Sequence, residues 1–429
     1  MLRTLSQLNM IIVIAMTVFY FYHVVYTVVG LFAQRRRRLP EAAQAHRFAA
    51  LICARNESAV IAELVRSLKA QKYPQDKLDV YVLADNCTDD TGRAAKRAGA
   101  LVYERRDAER VGKGYALDYL LKKIETERGR AFYDGYFVFD ADNLVDEHFV
   151  AEMNKTFDSG YEVVTSYRNS KNFARNWITY SYAVWFLHEA RFINYPRMLL
   201  GNGCAVSGTG FLVSSRVIRE NGGWPFDLLT EDIQFSVDCA VRGRKIGYCD
   251  SAVVYDEQPE TFGQSWDQRM RWAKGFYQVD ARYLRSLAAG ALTAKGRRMT
   301  CYDIMMTIAP GLLFSTLFSI LNIAVLATII DAPAYLVHIV LTRTGRFLLF
   351  MLGSAYLGLV FLALLTVVSE WKRIRTSAPR KLQYIAIFPL FMATYVPIAL
   401  LALLKKVEWK PIRHFSAGDA ELVGADRKN

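Results

Sequence analysis

The chain has 429 residues, 52% of them hydrophobic and 22% charged, and a formal net charge of +13. This length suffices for one large domain together with membrane segments. Its basic runs flank the most apolar segments, which is typical of contact with anionic lipid head groups, so we predict a lipid bilayer and no nucleic acid as partner. The six cysteines lack CxxC and Cys/His spacing, which excludes such metal sites and predicts free thiols.

The first predicted element is an apolar segment at residues 9–33 that contains no acidic residue, lysine or arginine. About 20 apolar residues suffice to cross a bilayer, and this segment is too long for a signal peptide. We therefore predict a retained transmembrane anchor over residues 1–34. The arginine run 35–38 follows at once and favours the cytoplasmic side, so the next domain is expected inside the cell.

Strand-like and helix-like patterns alternate along the predicted cytoplasmic domain, residues 35–262. The strand candidates are 47–54, 78–84, 100–104 and 135–140, and the helix candidates are 57–71, 91–98 and 111–127. This alternation indicates an α/β fold with a mixed, mostly parallel sheet. Ligands of such sheets bind at the carboxyl ends of the strands, where this sequence places three polar clusters.

The first two polar clusters, "ARNE" and "DNCTDD", predict a nucleotide-binding edge. The residues that we expect to contact the nucleotide are Ala54, Asn56, Glu57 and Asp85. Asp85 ends its strand and can accept a hydrogen bond from a base or a ribose. The alternative is structural, because Asn56 and either Thr88 or Asp89 can cap the helices that follow.

The third cluster, "FVFDADN", places Asp140 and Asp142 directly after a strand. Two carboxylates so close repel each other unless they share a cation, and oxygen ligands suit Mg²⁺ or Mn²⁺. Lys113 lies between two glycines at a predicted helix start, where a phosphate is attracted. The alternatives are an ordinary aspartate-rich turn and an ordinary glycine loop.

The segment "GNGCAVSGTGFLVS" (201–214) predicts a strand of small residues. Glycine inside a strand often marks the close approach of another group. We expect a sugar or an acceptor to lie against the backbone at Gly208 and Thr209. Tight internal packing is the alternative.

Two further motifs stand before the last apolar segments. In "LLTEDIQFS", Thr230 is expected to cap a helix whose first turn holds Glu231 and Asp232. In "QSWDQRMRW", three polar or aromatic residues fall within one helical turn, namely Gln268, Arg271 and Trp272. Arginine suits a pyrophosphate and tryptophan offers a stacking face. The alternative is an interfacial anchor, because residues 263–302 are predicted to form amphipathic helices.

Apolar stretches at about 304–331, 345–369 and 381–404 predict C-terminal transmembrane helices within residues 303–408, followed by a polar tail, 409–429. The basic loop 371–381 is expected on the cytoplasmic side. Three single spans would place the basic residues 405–414 outside. Either the last span departs from the preference of basic residues for the cytoplasmic side, or one segment is re-entrant. Pro310–Gly311 can break the first of the three apolar stretches.

In their order along the chain, the motifs "DNCTDDT", "DADN", "SGTG", "TED" and "QRMRW" resemble those of membrane-embedded family 2 glycosyltransferases with the GT-A fold. Hyaluronan, cellulose, chitin-oligosaccharide and poly-N-acetylglucosamine synthases belong to that family. The resemblance covers about residues 47–290 and the anchor–domain–spans layout. It implies that Asp85 recognises the base, that Asp140 and Asp142 hold the sugar nucleotide and metal, and that Asp142 is the metal ligand.

The resemblance also implies that Asp232, next to Glu231, is the general base. It implies that Gln268, Arg271 and Trp272 hold the diphosphate and line the acceptor entrance. The implied reaction transfers a sugar from a UDP-sugar, UDP-GlcNAc or UDP-glucose, with inversion and with Mg²⁺ or Mn²⁺.

The implied enzyme is a multi-pass protein of the plasma membrane with a cytoplasmic catalytic domain. It would extend a polysaccharide processively and export it, with an accessory export subunit as a further partner. The alternatives are a transferase that adds one sugar to a lipid acceptor, a nucleotidyltransferase, and a membrane-anchored nucleotide-binding protein without catalysis.

Overall fold

The computed structural model describes residues 2–33, 40–308, 320–324, 327 and 333–407. Four features of the sequence analysis lie wholly or largely outside the described residues: the arginine run 35–38, the Pro310–Gly311 pair, the apolar stretch 304–331 and the tail 409–429. The predicted domain boundaries stay predictions.

One mixed sheet of eight strands forms the centre of the molecule, as the α/β pattern predicts. Its strands are β1 Phe48–Ala54, β2 Leu78–Asp85, β3 Leu101–Arg105, β4 Gly135–Phe139, β5 Leu144–Val145, β6 Val163–Ser170, β7 Phe211–Ser214 and β8 Ile246–Asp256. They lie in the order β3-β2-β1-β4-β7-β6-β8-β5. The neighbours β3, β2, β1 and β4 are parallel, β6 and β8 are parallel, and the remaining pairs are antiparallel.

Sixteen α-helices among the described residues surround or follow the sheet. They are α1 Leu2–Tyr20, α2 Tyr22–Phe32, α3 Ile61–Lys69, α4 Thr91–Arg97, α5 Lys113–Arg128, α6 Phe149–Asp158, α7 Trp177–His188, α8 Tyr195–Leu199, α9 Ser215–Asn221, α10 Glu231–Arg242, α11 Phe262–Thr293, α12 Arg298–Ile308, α13 Ala334–Ser369, α14 Ala378–Leu382, α15 Phe388–Ala393 and α16 Tyr395–Leu404. A π-helical segment, Glu189–Asn194, joins α7 to α8.

The core consists of two apolar layers, one on each face of the sheet. Alternate residues of a strand point to opposite faces. In β1, Ala49 and Leu51 therefore face the layer that contains α5 and α7, whereas Ala50 and Ile52 face α3 and α6. Both faces of the strand are covered, which explains its unbroken apolar sequence.

The strand predicted over 201–214 is much shorter than expected, because only Phe211–Ser214 is extended. Gly201, Gly208 and Gly210 adopt positive φ angles of 72°, 79° and 64°. Glycine visits that region readily, and the resulting turns interrupt the strand. The prediction of a long small-residue strand is wrong, and the segment is mainly a loop over the sheet edge.

Two helices are long and apolar enough to cross a membrane by length and composition. The segment Asn9–Phe32 has a mean hydropathy of 2.0, and Ala334–Ser369 has 2.4. The predicted span 381–404 contains a shorter apolar segment, Phe388–Leu404, divided into α15 and α16. The number of C-terminal spans stays a prediction.

Candidate active site

The carboxyl end of β2 carries the first predicted ligand-binding carboxylate, Asp85, which is buried. In the parallel β2–β3 pair it lies opposite Arg105, whose Nη1 donates to Asp85 Oδ1 at 2.7 Å. Burial raises the pKa of Asp85, although Arg105 opposes the shift. Sequence reasoning missed Arg105, for which the signal was a basic residue ending the next strand.

Side-chain bonds tie the loop after β1 to the loop after β2. Ala54 is the buried last residue of β1. Asn56 Oδ1 accepts from Thr88 N at 2.7 Å, and Glu57 N donates to Thr91 Oγ1 at 2.8 Å. No side chain caps α3, so Asn56 joins the two loops instead of capping that helix. Asp89 Oδ1 accepts from the backbone N–H of Thr91, the first residue of α4, at 3.0 Å.

Lys113 and Asp140 form the centre of the predicted donor edge. Lys113 begins α5, and its Nζ donates to Asp140 Oδ1 and, at 2.6 Å, to the carbonyl oxygen of Gly208. Burial disfavours the charged form of Lys113, but Asp140 and Glu231 outweigh it and raise the pKa. The lysine therefore stays cationic beside the carboxylate.

Asp142 lies deeper than Asp140 and is only 3% exposed. Its Oδ1 accepts from Asn143 Nδ2 at 3.3 Å, and its Oδ2 accepts from the backbone N–H of Glu257 at 3.2 Å. The Asp140 side chain is 39% exposed and faces the open edge. The two predicted metal ligands thus differ strongly in their access to a ligand.

The carboxylates at the predicted donor edge offer Mg²⁺ or Mn²⁺ only a partial set of ligands. Among the described residues, no group of three or more His, Cys, Asp or Glu side chains stands ready to hold a metal. Mg²⁺ is often held by one or two carboxylates plus substrate phosphates. Asp140 offers its exposed carboxylate to such a metal, with Oδ1 also bound to Lys113, whereas Asp142 is buried and already accepts one hydrogen bond on each oxygen. Both stay predicted ligands.

A buried ion pair beneath the site escaped the sequence analysis. Arg168 Nε donates to Asp256 Oδ2 at 2.8 Å, and Arg168 Nη1 donates to the carbonyl oxygen of Ser207 at 3.0 Å. Burial opposes the ionisation of Asp256, but Arg168 outweighs it and lowers the pKa. Asp256 also accepts from Asn143 at 3.2 Å, so this pair braces both loops of the site.

The loop before β7 contributes Gly208 and Thr209. A methyl group built on Gly208 would lie 3.6 Å from Asp232 Oδ2 and 3.9 Å from Asp140 Oδ2, so both carboxylates approach this bare backbone. Thr209 is buried, and its Oγ1 accepts from Asp140 N at 3.0 Å. Gly208 therefore faces the open site and Thr209 supports Asp140 from within.

Glu231 and Asp232 form the first turn of α10, as predicted. Burial and the neighbouring Asp232 raise the pKa of Glu231 to about 7. Burial also raises the pKa of Asp232, although Lys113 and Arg271 oppose it. The pair therefore holds a proton more readily than ordinary carboxyl groups.

Thr230 occupies the N-cap position of α10, but its side chain makes no capping hydrogen bond. Its Oγ1 is buried without a hydrogen-bond partner among the described residues. A methyl group on Gly275 would lie 2.5 Å from Thr230 Oγ1, so the side chain packs against α11 instead. This close approach seats the start of α10 against α11.

Helix α11 carries the basic-aromatic motif beside α10. Arg271 Nη1 donates to the carbonyl oxygen of Leu229 at 3.1 Å, directly before the acidic pair. Gln268 is half-buried, and its Oε1 has no hydrogen-bond partner within the described ranges. The ring of Trp272 packs edge-on against Tyr182, with centroids 5.8 Å apart.

The fold thus brings five predicted residues around one small space: Lys113, Asp140, Gly208, Asp232 and Arg271. Asp85 ends β2, two strands along the sheet from β4, which Asp140 follows. Cations beside a base with a raised pKa suit a reaction in which a leaving group gains negative charge while a hydroxyl loses its proton.

Comparison with protein families gives one match, which covers more than half of the chain. A family described as "Glycosyltransferase like family 2" matches residues 46–275. One solved structure that the chain resembles in shape is the mannosyltransferase PcManGT from Pyrobaculum calidifontis in complex with GDP-Man and Mn²⁺. It has a TM-score of 0.57 and 17% identity, covering 94% of this chain and 99% of that one. At this identity, the likeness shows a shared fold.

Two curated relatives differ in the product that their names state. The chain is 27% identical over 270 residues to the poly-beta-1,6-N-acetyl-D-glucosamine synthase of Staphylococcus aureus strain COL, with 59% of each chain covered. It is 29% identical over 240 residues to the beta-monoglucosyldiacylglycerol synthase of Synechocystis sp., covering 54% of this chain and 48% of that relative. The matches thus span less than two thirds of these relatives.

Proposed function

Because the chain belongs to the "Glycosyltransferase like family 2", we propose that it transfers a sugar from a UDP-sugar to a growing polysaccharide at a membrane. The donor is UDP-GlcNAc or UDP-glucose. Support for this choice comes from the similarity to a poly-beta-1,6-N-acetyl-D-glucosamine synthase. The α/β fold and the polar edge that carries Asp85 support a nucleotide donor.

One observation carries the proposal: Asp232 Oδ2 and Asp140 Oδ2 both lie close to Gly208, 3.6 Å and 3.9 Å from a methyl group built on that residue. A sugar lying against Gly208 would have a carboxylate on its acceptor side and a cation-bearing donor edge opposite. Asp140 and Lys113 then face the diphosphate, and Asp232 faces the attacking hydroxyl. With the base and the diphosphate placed in this way, the hydroxyl would displace the diphosphate directly at the anomeric carbon and invert its configuration.

In the proposed step, the acceptor oxygen forms a bond to the anomeric carbon while the bond from that carbon to the UDP oxygen breaks. The hydroxyl proton passes to Asp232, and the electron pair of the broken bond leaves with UDP. Lys113 and Arg271 stabilise the negative charge that develops on the diphosphate. Mg²⁺ or Mn²⁺, held by Asp140 and Asp142 together with the diphosphate, would supply further positive charge there.

Processive synthesis with export is supported by the arrangement of α11 and the apolar helices. Trp272 lies among aromatic side chains contributed by α7, α15 and α16, and an extending sugar chain can stack on such rings. The two long apolar helices would hold the enzyme in the plasma membrane, with the catalytic domain on the cytoplasmic side. An accessory export subunit is a further proposed partner.

A second candidate function is the addition of one sugar to a lipid acceptor. The similarity to a beta-monoglucosyldiacylglycerol synthase favours it. Both candidates use the same site and differ in what occupies the acceptor side.

The test uses the full chain in lipid nanodiscs with Mn²⁺ and a panel of radiolabelled donors that contains UDP-sugars and GDP-mannose. The proposal expects incorporation from UDP-GlcNAc or UDP-glucose into a ladder of polymers. A single labelled glycolipid would overturn the polymerase proposal in favour of the second candidate. Transfer from GDP-mannose alone would overturn the choice of donor, and nucleotide binding without transfer or hydrolysis would contradict the proposed reaction.

A further inference from the structure

Arg269 lies inside the basic-aromatic motif but faces away from the donor side of the site. It is fully buried, with 0% of its surface exposed. Its Nε donates to the carbonyl oxygen of Ser265 at 3.2 Å, and its Nη1 donates to the carbonyl oxygen of Phe391 at 3.2 Å and to Thr394 Oγ1. The guanidinium also stacks over the ring of Tyr395, 5.1 Å from the centroid.

The partners of Arg269 mark the break in the C-terminal apolar segment. Helix α15 ends at Ala393, and α16 begins at Tyr395. The last carbonyl groups of a helix lack intrahelical partners and carry partial negative charge. Pro397 cannot donate a backbone hydrogen bond to the preceding turn. Arg269 supplies hydrogen-bond donors at this break. A residue of the basic-aromatic motif therefore binds polar groups where the apolar helices are interrupted.

All the hydrogen-bond acceptors of Arg269 are neutral. Among the described residues, it makes no ion pair with a carboxylate within 4.0 Å. A buried charge without a counter-charge carries a large desolvation cost, and well-packed apolar replacements of buried charges are often neutral or stabilising. Stability alone therefore gives a poor reason for an arginine at this position.

Two residues of the basic-aromatic motif on α11 contact different parts of the protein. Arg271 reaches Leu229 beside the acidic pair, on the donor side. Trp272 packs in a cluster with Phe391 and Tyr182, which belong to α15 and α7. Ser265 connects Arg269 to this second group, because its carbonyl oxygen also accepts from Tyr182 at 3.3 Å.

We propose that Arg269 is a positioning residue that fastens the acceptor side of α11 to the break between α15 and α16. The inference rests on the proposed function, because it assumes that Trp272 borders the acceptor. Through this bond, the C-terminal apolar segment sets where the acceptor lies. Arg271 has its own anchor at Leu229, so the grip on the donor diphosphate is independent of Arg269.

The test compares Arg269→Met with wild type in nanodiscs, using UDP-GlcNAc as donor and a β-1,6-linked N-acetylglucosamine oligosaccharide as acceptor probe. A small displacement at a reacting centre can cost up to about a hundredfold in rate. We expect the acceptor kcat/KM to fall about ten- to a hundredfold, while UDP binding and donor hydrolysis stay within about twofold and the melting temperature does not fall. Arg269→Lys should restore part of the activity.

Two controls separate positioning from general damage. Arg285→Met changes an exposed arginine on the same helix and should leave every readout unchanged. Thr394→Val removes one acceptor of Arg269 at nearly constant volume, and its effect should not add to that of Arg269→Met.

Normal acceptor kinetics in Arg269→Met would overturn the inference, as would a parallel loss of donor binding and stability. If wild type turns over no UDP-GlcNAc, the proposed donor fails instead. The comparison of Arg269→Met with wild type is then repeated with each donor that wild type accepts. A failure of the proposed donor can thus be distinguished from a failure of the proposed role of Arg269.

Discussion

At the scale of single residues, the proposed chemistry depends on Asp232 being a base beside an acidic neighbour. Burial raises its pKa, and Glu231 next to it has a pKa raised to about 7. A base whose pKa lies closer to the working pH takes up a proton more effectively while it is still largely ionised. Because Glu231 and Asp232 interact strongly, the protonation of one carboxyl group depends on the charge of the other.

Replacing Asp232 by Asn should abolish transfer, because the amide cannot accept the hydroxyl proton. General-base catalysis contributes about 10² to 10⁴ in rate, and we expect a loss of at least that size. UDP binding, measured by calorimetry, should change little because Lys113 and Arg271 remain. Asp238→Asn on the same helix is the matched control. Near-normal turnover by Asp232→Asn would contradict the assignment.

The pH dependence of transfer follows from the same pair. Asp232 acts in its ionised form, and its raised pKa moves the loss of activity on acidification to a higher pH than for an ordinary aspartate. We expect kcat/KM to show this displaced acidic limb, and Glu231→Gln to move the limb to lower pH, because a like charge is removed. A profile unchanged by Glu231→Gln would contradict this coupling.

Asp280 on α11 offers a stability test remote from the proposed chemistry. It is 7% exposed, has no hydrogen-bond partner among the described residues, and burial raises its pKa to about 7. The folded state then holds a proton that the unfolded state has released, so stability falls as the pH rises from about 4 to about 7. Asp280→Asn should therefore stabilise the protein at pH 8 by about 2 kcal/mol and have little effect at pH 4.

Thermal unfolding at the two pH values measures this difference. Asp267→Asn, an exposed substitution on the same helix, serves as the control. Equal stabilisation at both pH values would contradict a buried carboxyl group with a raised pKa.

At the scale of elements, the distance between α10 and α11 sets the distance between Asp232, the proposed base, and Arg271, the proposed ligand of the diphosphate. Gly275→Ala would place a methyl group 2.5 Å from Thr230 Cγ2 and Oγ1. Overpacking costs about 1–3 kcal/mol, and moving α11 away should lower kcat by more than the loss of folded protein explains. Thr230→Ala in the same chain should restore most of both.

Gly263→Ala is the control for this comparison, because nothing lies within 4 Å of the added methyl group at that position. Transfer kinetics per folded molecule and thermal unfolding are the two measurements. If Thr230→Ala gives no rescue, the contact between Thr230 and Gly275 is not what spaces the two helices.

At the scale of the whole molecule, one buried node joins the N-terminal helix to the catalytic domain. Arg197 and Asp303 form two hydrogen bonds of 2.7 Å and are 1% and 0% exposed. Tyr26 OH donates to Asp303 Oδ2 at 2.7 Å. Helices α2, α8 and α12 therefore meet at a charged pair that no water reaches.

Asp303→Asn should destabilise the folded protein by about 3–5 kcal/mol, because it leaves the charge of Arg197 buried without its partner. The double variant Arg197→Met/Asp303→Leu should recover much of this loss. Glu147→Gln removes the partner of Lys72 in an exposed pair and should cost at most about 1 kcal/mol. Denaturation of the three variants in one detergent measures the differences in the free energy of unfolding. An Asp303→Asn variant as stable as wild type would contradict the stabilising role of this ion pair.

The fold class could be predicted because it depends on local patterns. Strand β1 is a continuous apolar run and α3 has helical spacing, and each is visible in a short window. The proposed site residues could be predicted from the sequence for the same reason, since Asp140 follows a strand directly and Asp232 lies in the first turn of a helix. Parallel strands then bring such ends to one edge.

Other features depend on residues that are far apart in the chain. Arg105 meets Asp85 only through strand pairing, Arg168 meets Asp256 only across β6 and β8, and Arg269 meets Phe391 only where α11 packs on the last apolar helices. The sequence by itself determined the α/β pattern, the apolar segments and the order of the motifs, because these are local periodicities and spacings. Only the tertiary structure decided which carboxylate faces the open edge and which partner each buried arginine has, because burial and pairing depend on long-range packing.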